Sequence, residues 1–180
     1  MRRIVTSRLM LEPQIEAHAP EMFALLQDPA LYRYENEAPQ SVAWLRERFR
    51  RLESRASADG REHWLNWIVR HPASGLIGFV QATVHDDRSA GIAYVLASAY
   101  WGRGFAREAV AAMIRELSDS HEVRMLRAVL KRRNARSVHL LERLGFAWAP
   151  GDAPPPEIED DEILMLRDLC LAPAGPVVKG

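Results

Sequence analysis

Residues 94–113 read YVLASAYWGRGFAREAVAAM, and this stretch decides the fold. The apolar residues 92–96, at and just before its start, predict a strand. The chain then passes through small residues into a turn at Gly102 and Gly104. Beyond the turn, apolar residues recur at helical spacing and mark one buried helix face: Phe105, Ala109, Val110, Met113, Ile114 and Leu117. The stretch therefore predicts a strand, a glycine turn and a helix in direct succession.

The glycine turn is a candidate anion-binding site. The first amides of a helix have no internal acceptor, and the helix dipole adds partial positive charge at that end. Gly102 and Gly104 let the backbone approach an anion without a Cβ in the way, while Arg103 and Arg107 add full charges. Because the same glycines also suit a tight turn without a ligand, both interpretations stay open at this point.

Two nucleotide-binding motifs match this turn poorly. A Walker loop ends in Gly-Lys-Ser or Gly-Lys-Thr after four intervening residues, and the sequence contains no such run. A dinucleotide fingerprint needs a third glycine where Arg107 stands, and Glu122 precedes the next strand instead of ending it. Both motifs are therefore weak hypotheses for this chain.

Strand and helix patterns on either side of the stretch predict the rest of the domain. Short turns join the strands between residues 63 and 96, which predicts an antiparallel meander, and the strand-helix-strand order after it predicts a parallel pair. Ser41 is a predicted helix cap, and Gly145 is a predicted C-cap. The predicted strands are 4–12, 63–70, 76–85, 91–96, 124–130, 146–149 and 162–169, and the other predicted helices are 18–28, 42–52 and 135–144.

Composition and charge restrict the class of protein. The chain has 180 residues, and residues 1–171 are expected to form one domain followed by a loose tail over 172–180. Its 24 basic residues balance its 24 acidic ones, which argues against a nucleic-acid or membrane-surface partner. The single cysteine, Cys170, excludes an internal disulfide framework and fits a reducing cytoplasm. We expect a cytoplasmic protein, monomer or homodimer, with no metal site and no membrane span.

Two blocks of the sequence carry a resemblance to a known family. Residues 101–106, WGRGFA, resemble the acyl-CoA diphosphate loop of the GNAT superfamily of N-acetyltransferases, whose pattern is Gln or Arg, two residues, Gly, one residue, then Gly or Ala. Trp101 departs from that pattern. Residues 134–146, with the run Asn-Ala-Arg-Ser at their start, resemble the family's second cofactor motif. Together with Arg8-Leu9, the pattern is similar to the Rim-type subgroup, which includes ribosomal-protein alanine N-acetyltransferases, and it extends over residues 4–169.

The resemblance implies a fold and a cofactor site. The implied fold is α/β (α+β mixed), with a mixed, mostly antiparallel central sheet whose parallel strand pair splays apart, flanked by helices. The pantetheine arm of acetyl-CoA then lies in that gap, bonded by the backbone of a bulged strand at Tyr94, Val95 and Leu96. The implied contacts of the cofactor's diphosphate are Trp101, Gly102, Arg103, Gly104, Phe105, Ala106 and Arg107. Asn134 is assigned to an amide of the arm and Ser137 to the sulfur, as hydrogen-bond donor or general acid. From the residues alone, Asn134 also suits a helix cap, and Ser137 a surface position in the first turn of that helix.

A basic cluster surrounds the second block. It consists of Lys131, Arg132, Arg133 and Arg136, and a solvated surface is the ordinary interpretation for most of them. Arg136 is the first candidate to meet the ribose phosphate of the cofactor. A ribosomal-RNA contact is the other interpretation, and the balanced overall charge weakens it.

The residues offer weaker signals for the general base and the acceptor pocket. Gly91 stands where relatives often carry a glutamate, so Glu35 or a chain of waters is left as the base. His71 and His85 fall at hairpin turns, away from the expected thioester. The acidic run EIEDDE, 157–162, either attracts a cationic acceptor or forms a solvated loop. Candidate pocket residues are Tyr32, Tyr34, Trp64 and Trp67, together with Gln81, which hairpin counting places near Tyr94.

The expected function is acetyl-CoA-dependent N-acetyl transfer by direct attack of a primary amine on the thioester in a ternary complex. The acceptor is a protein N-terminus or a small-molecule amine. The alternative is a non-catalytic acyl-CoA-binding sensor of the same fold, because no strand glutamate precedes the glycine loop.

Overall fold

The structure is a computed structural model that describes residues 1–34, 37–150 and 158–171. The strands there are β1 Ile4–Val5, β2 Met10–Pro13, β3 Glu62–His71, β4 Gly75–His85, β5 Ser89–Leu96, β6 Met125–Lys131, β7 Ala147–Trp148 and β8 Glu162–Asp168. The α-helices are α1 Ala19–Leu25, α2 Val42–Leu52, α3 Phe105–His121 and α4 Ala135–Arg143. One sheet holds the strands in the order β1-β2-β3-β4-β5-β6-β8-β7.

The N-terminal segment differs from its prediction. A single strand over 4–12 was expected, but β1 and β2 form an antiparallel hairpin, which we call the N-terminal hairpin. The backbone N–H of Thr6 donates to the carbonyl of Leu9, and the Thr6 hydroxyl accepts from the Leu9 N–H. Because the Thr6 side chain holds the turn closed, the chain reverses direction there. The single strand that the apolar alternation predicts is therefore divided into two.

The central strands follow the prediction closely. β3, β4 and β5 form the antiparallel meander, and β5 pairs in parallel with β6 after the α3 crossover. The pairs between β4 and β5 run without interruption from Gly78–Leu96 to Val84–Ala90, so the bulge implied for β5 is wrong. The register shift in the meander lies on β3, between Val69 and Arg70.

Two hydrophobic cores cover the two faces of the sheet. Successive strand residues point to opposite faces, so Trp67 and Val69 join the core beneath α3 and α4, while Ile68 joins the core beneath α1 and α2. The larger core packs α3 through Phe105 and Met113, among others. Helices on both sides of one mixed sheet confirm the predicted fold class. No helix in the described ranges has the length and hydrophobicity needed to cross a membrane.

Local signals place the ends of α2 and α4 close to the prediction, whereas the first helix, predicted over 18–28, spans only Ala19–Leu25. The Ser41 side chain caps α2 by accepting from the Trp44 N–H at 3.0 Å. Asn134 caps α4 in the same way, accepting from the Ser137 N–H at 3.3 Å. Gly145 follows α4 with φ +81°, the left-handed conformation that lets a chain leave a helix sharply. The helix starts matter for function because α3 and α4 both begin beside a gap between β5 and β6.

Candidate functional site

A wedge-shaped gap opens between the parallel strands β5 and β6. Their ladder contains three pairs, from Ser89–Met125 to Gly91–Arg127, although β5 continues to Leu96 and β6 to Lys131. Beyond Gly91 the two strands separate, while β6 remains paired with β8 along its whole length. The separated ends leave one backbone edge of β5 facing the gap.

The register identifies which backbone groups of β5 face that gap. Ala97 donates to the carbonyl of Ile77 on the β4 side, and in an antiparallel ladder every second residue points to the same neighbour. Val95 therefore faces Phe79 on β4, whereas Tyr94 and Leu96 turn their N–H and C=O groups toward the gap. The predicted backbone contact of Val95 with a ligand in the gap is thereby corrected.

The glycine turn lies at the open end of the gap and starts α3. Gly102 has φ +71° and Gly104, the N-cap residue, has φ +79°, both in the left-handed region that favours glycine. Within the described residues no side chain caps α3, so the amides of its first turn are unused by capping. Arg103 and Arg107 are exposed beside them. The geometry is that of an anion site built from backbone amides.

Trp101 ties this turn to the strand that precedes it. Its indole Nε1 donates to the carbonyl oxygen of Leu96 at 2.7 Å. The guanidinium of Arg136, from the first turn of α4, lies 4.6 Å from the centre of the indole ring. The fold thus brings the two sequence blocks into contact, and it gives Trp101 a structural role where the resemblance implies a cofactor contact.

Ser137 and Tyr94 meet across the gap. The Tyr94 hydroxyl donates a long hydrogen bond, 3.5 Å, to the backbone carbonyl of Ser137. Burial raises the pKa of the Tyr94 phenol to about 12, so the phenol holds its proton at neutral pH. The side-chain oxygen of Asn134 is occupied by the helix cap, which leaves its NH₂ group to donate to a ligand carbonyl. The Tyr94 hydroxyl and the Asn134 side chain thus both lie at the first turn of α4.

Lys131 does not belong to the solvent-exposed basic cluster. Its side chain is 8% exposed, and its ammonium contacts Glu159, Asp161 at 2.7 Å and Glu162 at 3.5 Å. These partners raise its pKa above the ordinary value, chiefly because the ammonium donates hydrogen bonds to Asp161 and Glu159. Three acids of the predicted acidic loop thus form an ion-pair cluster around the Lys131 ammonium, which ties the end of β6 to the start of β8.

Among the predicted pocket residues, Trp67 and Tyr32 face inward. Trp67 is completely buried and donates through Nε1 to the Arg2 carbonyl, and the Tyr32 hydroxyl donates to the Leu26 carbonyl at 2.6 Å. Trp64 is half-buried on β3 and donates to Glu62. The sequence predicts that Gln81 lies near Tyr94. In the structure Gln81 pairs with Ala93, and Tyr94 pairs with the adjacent residue, Val80. Gln81 is half-buried on the sheet face that α1 and α2 partly cover.

The segment between α1 and α2 touches the ends of both separated strands. The Asp28 carboxylate accepts from the Ser98 N–H at 3.1 Å, just after β5, and the Ser98 and Ala30 hydrogen bonds lower its pKa. Tyr34 lies with its ring centre 5.9 Å from the guanidinium of Arg133, just before α4. Tyr34 is therefore placed at the mouth of the gap. The predicted base Glu35 lies outside the described residues.

Two residues at the glycine turn, Arg8 and Glu108, are not predicted as site residues by any local sequence pattern. Arg8, in the turn of the N-terminal hairpin, donates to the carbonyl of Arg103 at 3.1 Å and stacks 4.5 Å from the centre of the Phe105 ring. Glu108 in α3 accepts from the side chain of Arg8 at 2.6 Å. The residues Arg8 and Leu9 were noted only as part of a resemblance, and the hundred-residue separation of Arg8 and Glu108 leaves no local signal. His71, expected to lie away from the thioester, packs edge-on against Phe105 at 5.2 Å.

No group of three or more His, Cys, Asp or Glu side chains is placed to hold a metal ion within residues 1–34, 37–150 and 158–171.

Comparisons with known proteins give the family. The acetyltransferase (GNAT) domain family matches residues 8–147. A search of curated proteins finds no match.

Among solved structures, RimL, described as a ribosomal L7/L12 alpha-N-protein acetyltransferase in complex with coenzyme A, is 16% identical with a TM-score of 0.76, over 93% of this chain and 98% of that one. A ribosomal-protein-S5-alanine acetyltransferase from Vibrio fischeri is 18% identical with a TM-score of 0.76, over 93% and 97%. Spermidine N-acetyltransferase from Vibrio cholerae with CoA and spermine is 20% identical with a TM-score of 0.73, over 91% and 96%.

These structures share the fold with the chain, and the family match confirms the prediction made from the glycine turn and the second block. The chain belongs to the GNAT acetyltransferase family.

Proposed function

We propose that this protein is an N-acetyltransferase that moves the acetyl group of acetyl-CoA to a primary amine by direct attack in a ternary complex. When bound, acetyl-CoA supplies an activated thioester. The observation that carries the proposal is the contact of the two sequence blocks at the gap, where Tyr94 meets Ser137 and Trp101 meets Arg136.

The first turn of α3 is proposed to hold the diphosphate. Its amides have no helical acceptor, and Gly102 has open space where a side chain would begin, since no atom lies within 4 Å of a Cβ built there. Arg103 and Arg107 add positive charge. Arg136, exposed beside Trp101, is the candidate for the ribose phosphate.

The backbone edge of β5 is proposed to hold the pantetheine arm. Tyr94 and Leu96 face the gap, and the Leu96 carbonyl already accepts from Trp101, so Tyr94 offers the freer pair of backbone groups. The NH₂ group of Asn134 donates from the opposite side. An extended arm in this position replaces the ladder that β5 and β6 do not form.

In the reaction, a bond forms between the amine nitrogen and the acetyl carbon, and the bond from that carbon to sulfur breaks. The departing thiolate needs a proton, and we propose the Ser137 hydroxyl as its donor, as the resemblance implies. The Tyr94 phenol lies beside Ser137 and keeps its proton at neutral pH because burial raises its pKa to about 12. It therefore can orient Ser137 or stabilise the thiolate by a hydrogen bond.

The general base is proposed to be Glu35 or a chain of waters. On β5, the side chains on the sheet face that α1 and α2 partly cover, where Gln81 also lies, are those of Gly91, Ala93 and Val95. None of them carries an ionisable group. The base must therefore come from another segment, and Glu35 is the next residue in the sequence after Tyr34, whose ring lies beside Arg133. Tyr34, Gln81 and Trp64 are the candidate acceptor contacts, and Gln81 pairs directly with Ala93.

The acceptor is a protein N-terminus or a small-molecule amine. The structural neighbours are named for both classes, since one is an alpha-N-protein acetyltransferase and another a spermidine N-acetyltransferase. The test is a thiol-release assay with acetyl-CoA across peptides with free N-termini, polyamines, amino acids and aminoglycosides. Thiol release that depends on one amine class supports the proposal and identifies the acceptor.

The alternative function is an acyl-CoA-binding sensor. One observation favours it, namely the side chains of Gly91, Ala93 and Val95 where a base would be expected on β5. Calorimetry of CoA binding separates the two functions. Tight CoA binding without thiol release for any amine supports the sensor, and absence of CoA binding contradicts both functions.

A further inference from the structure

Two ion pairs join α3 to the N-terminal hairpin and the residues just before it. Arg2 forms an ion pair with Glu116 at 2.8 Å, and Arg8 forms one with Glu108 at 2.6 Å. The two acids are eight residues apart, which corresponds to about 12 Å along the helix. The Arg8 pair lies at the helix start, beside the glycine turn, while the Arg2 pair lies more than two turns further along.

Glu108 is fully engaged by the turn of the hairpin. Its Oε1 accepts from the Thr6 hydroxyl at 2.6 Å, the Ser7 hydroxyl at 3.0 Å and the Arg8 N–H at 2.9 Å, and its Oε2 accepts from Arg8 Nε at 2.6 Å. A carboxylate in the first turns of α3 would otherwise repel an anion at the helix start. Because Arg8 neutralises it, the glycine turn keeps its positive character.

The three nitrogen groups of the Arg8 guanidinium have different surroundings. Nε binds Glu108, and Nη1 donates to the Arg103 carbonyl at 3.1 Å. Nη2 has no acceptor among the described residues, and it lies 3.4 Å from the position that a Cβ on Gly104 would occupy. The side chain is 46% exposed. Two nitrogens are thus anchored, and the third is presented at the N-cap of α3.

From this arrangement we infer that Arg8 is a further cofactor-binding residue: its Nη2 donates to the diphosphate, while Nε and Nη1 hold the glycine turn in shape. The inference rests on the proposed function. A planar guanidinium with two anchored nitrogens is already oriented, so little side-chain entropy is lost when a phosphate oxygen binds the third. The N-terminal hairpin then becomes a second element of the diphosphate site, beside the glycine turn that starts α3.

The experiment compares Arg8→Gln with Arg2→Gln, a matched control that removes the other hairpin–α3 ion pair. CoA affinity is measured by calorimetry, and kcat/KM is measured with acetyl-CoA and with S-acetyl-N-acetylcysteamine, a thioester donor without phosphates. Arg8→Gln is expected to weaken CoA binding about tenfold or more, and Arg2→Gln less than about twofold. The loss of kcat/KM in Arg8→Gln should be about tenfold larger with acetyl-CoA than with the truncated donor.

Arg8→Lys keeps the charge but cannot anchor two nitrogens, so it is expected to recover part of the CoA affinity. This variant also serves if Arg8→Gln does not fold, which thermal unfolding reports. Equal losses in Arg8→Gln and Arg2→Gln, or equal losses with the two donors, overturn the inference and leave the proposed function standing. A wild-type protein that does not bind CoA overturns both.

Discussion

The indole Nε1 of Trp101 donates a 2.7 Å hydrogen bond to the carbonyl oxygen of Leu96, and this bond joins the last residue of β5 to the glycine turn. The bond ties the turn to the strand edge that faces the gap. The guanidinium of Arg136 lies 4.6 Å from the centre of the same indole ring. One side chain thus sets the spacing between the proposed diphosphate site, the pantetheine edge and α4.

Trp101→Phe removes this hydrogen bond and keeps an aromatic ring for Arg136. We expect the free energy of unfolding to fall by about 1 kcal/mol and the KM for acetyl-CoA to rise several-fold, because the turn loses its tie to β5. Urea denaturation and initial rates measure the two effects. Trp148→Phe is the matched control, since Trp148 is 45% exposed and also lies under an arginine, Arg132, at 5.3 Å. An unchanged KM in Trp101→Phe contradicts the prediction.

Gly104→Ala tests the backbone of the turn. Gly104 has φ +79°, and an added Cβ costs about 1–2 kcal/mol in that conformation. We expect the same stability loss in Gly60→Ala, where φ is +73° and the space is open, but a loss of CoA affinity only in Gly104→Ala. Gly104→Glu should abolish CoA binding by placing a carboxylate against phosphate. Calorimetry that finds unchanged affinity in Gly104→Glu refutes the diphosphate site.

Ser137→Ala tests the proposed proton donor. We expect kcat to fall by about 100-fold or more with little change in CoA affinity, because the hydroxyl acts on the leaving thiolate and not on the phosphates. Tyr94→Phe should have the smaller effect on kcat, since the phenol contacts Ser137 through a 3.5 Å bond. Ser120→Ala, an exposed serine on α3, is the control. A larger loss in Tyr94→Phe than in Ser137→Ala would transfer the donor role to Tyr94.

Glu108→Gln tests how the N-terminal hairpin depends on pH. Partial burial raises the pKa of Glu108, but the hydrogen bonds from Thr6, Arg8 and Ser7 prevail and lower it to about 2, from an ordinary value of 4.5. Since the folded pKa is depressed, its stabilisation is complete above the unfolded pKa and is lost as the pH falls through the folded one. We expect the substitution to cost about 1–3 kcal/mol at neutral pH.

The difference in unfolding free energy between wild type and Glu108→Gln should shrink steadily from pH 4.5 toward pH 2, the window between the ordinary and the folded pKa. Urea denaturation at several pH values in that range, with a reference at neutral pH, measures it. A difference that stays constant down to the acid end would show that the Glu108 charge contributes nothing.

Gly78→Ala tests the packing of β4 against β5. A Cβ on Gly78 would overlap the carbonyl oxygen of Val95 and lie 2.9 Å from the Leu96 Cα, so the strands must separate. We expect a loss of about 3 kcal/mol in unfolding free energy. Gly91→Ala, on β5 with open space around the new Cβ, should be nearly neutral. Equal stability of the two variants would contradict the close packing of β4 against β5 at Gly78.

Much of the fold could be predicted because its signals are local. The apolar alternation in β3, β4 and β5, the spacing of apolar residues in α3, and the caps Ser41 and Asn134 each depend on neighbours within a few residues. The hairpin at Thr6 was missed because a single side chain closes that turn against the apolar pattern. The glycine turn and the second block were readable as motifs for the same reason.

Periodicity and capping act between residues that are close along the chain, so the strand, the glycine turn and the capped helices that frame the site follow from local sequence. Three features required the folded chain: the reach of Arg8 to Arg103 and Glu108, the pairing of Lys131 with acids about thirty residues away, and the separation of β5 from β6 after Gly91. Those contacts join segments that are distant along the chain, and they arise from the packing of the hairpin, sheet and helices together.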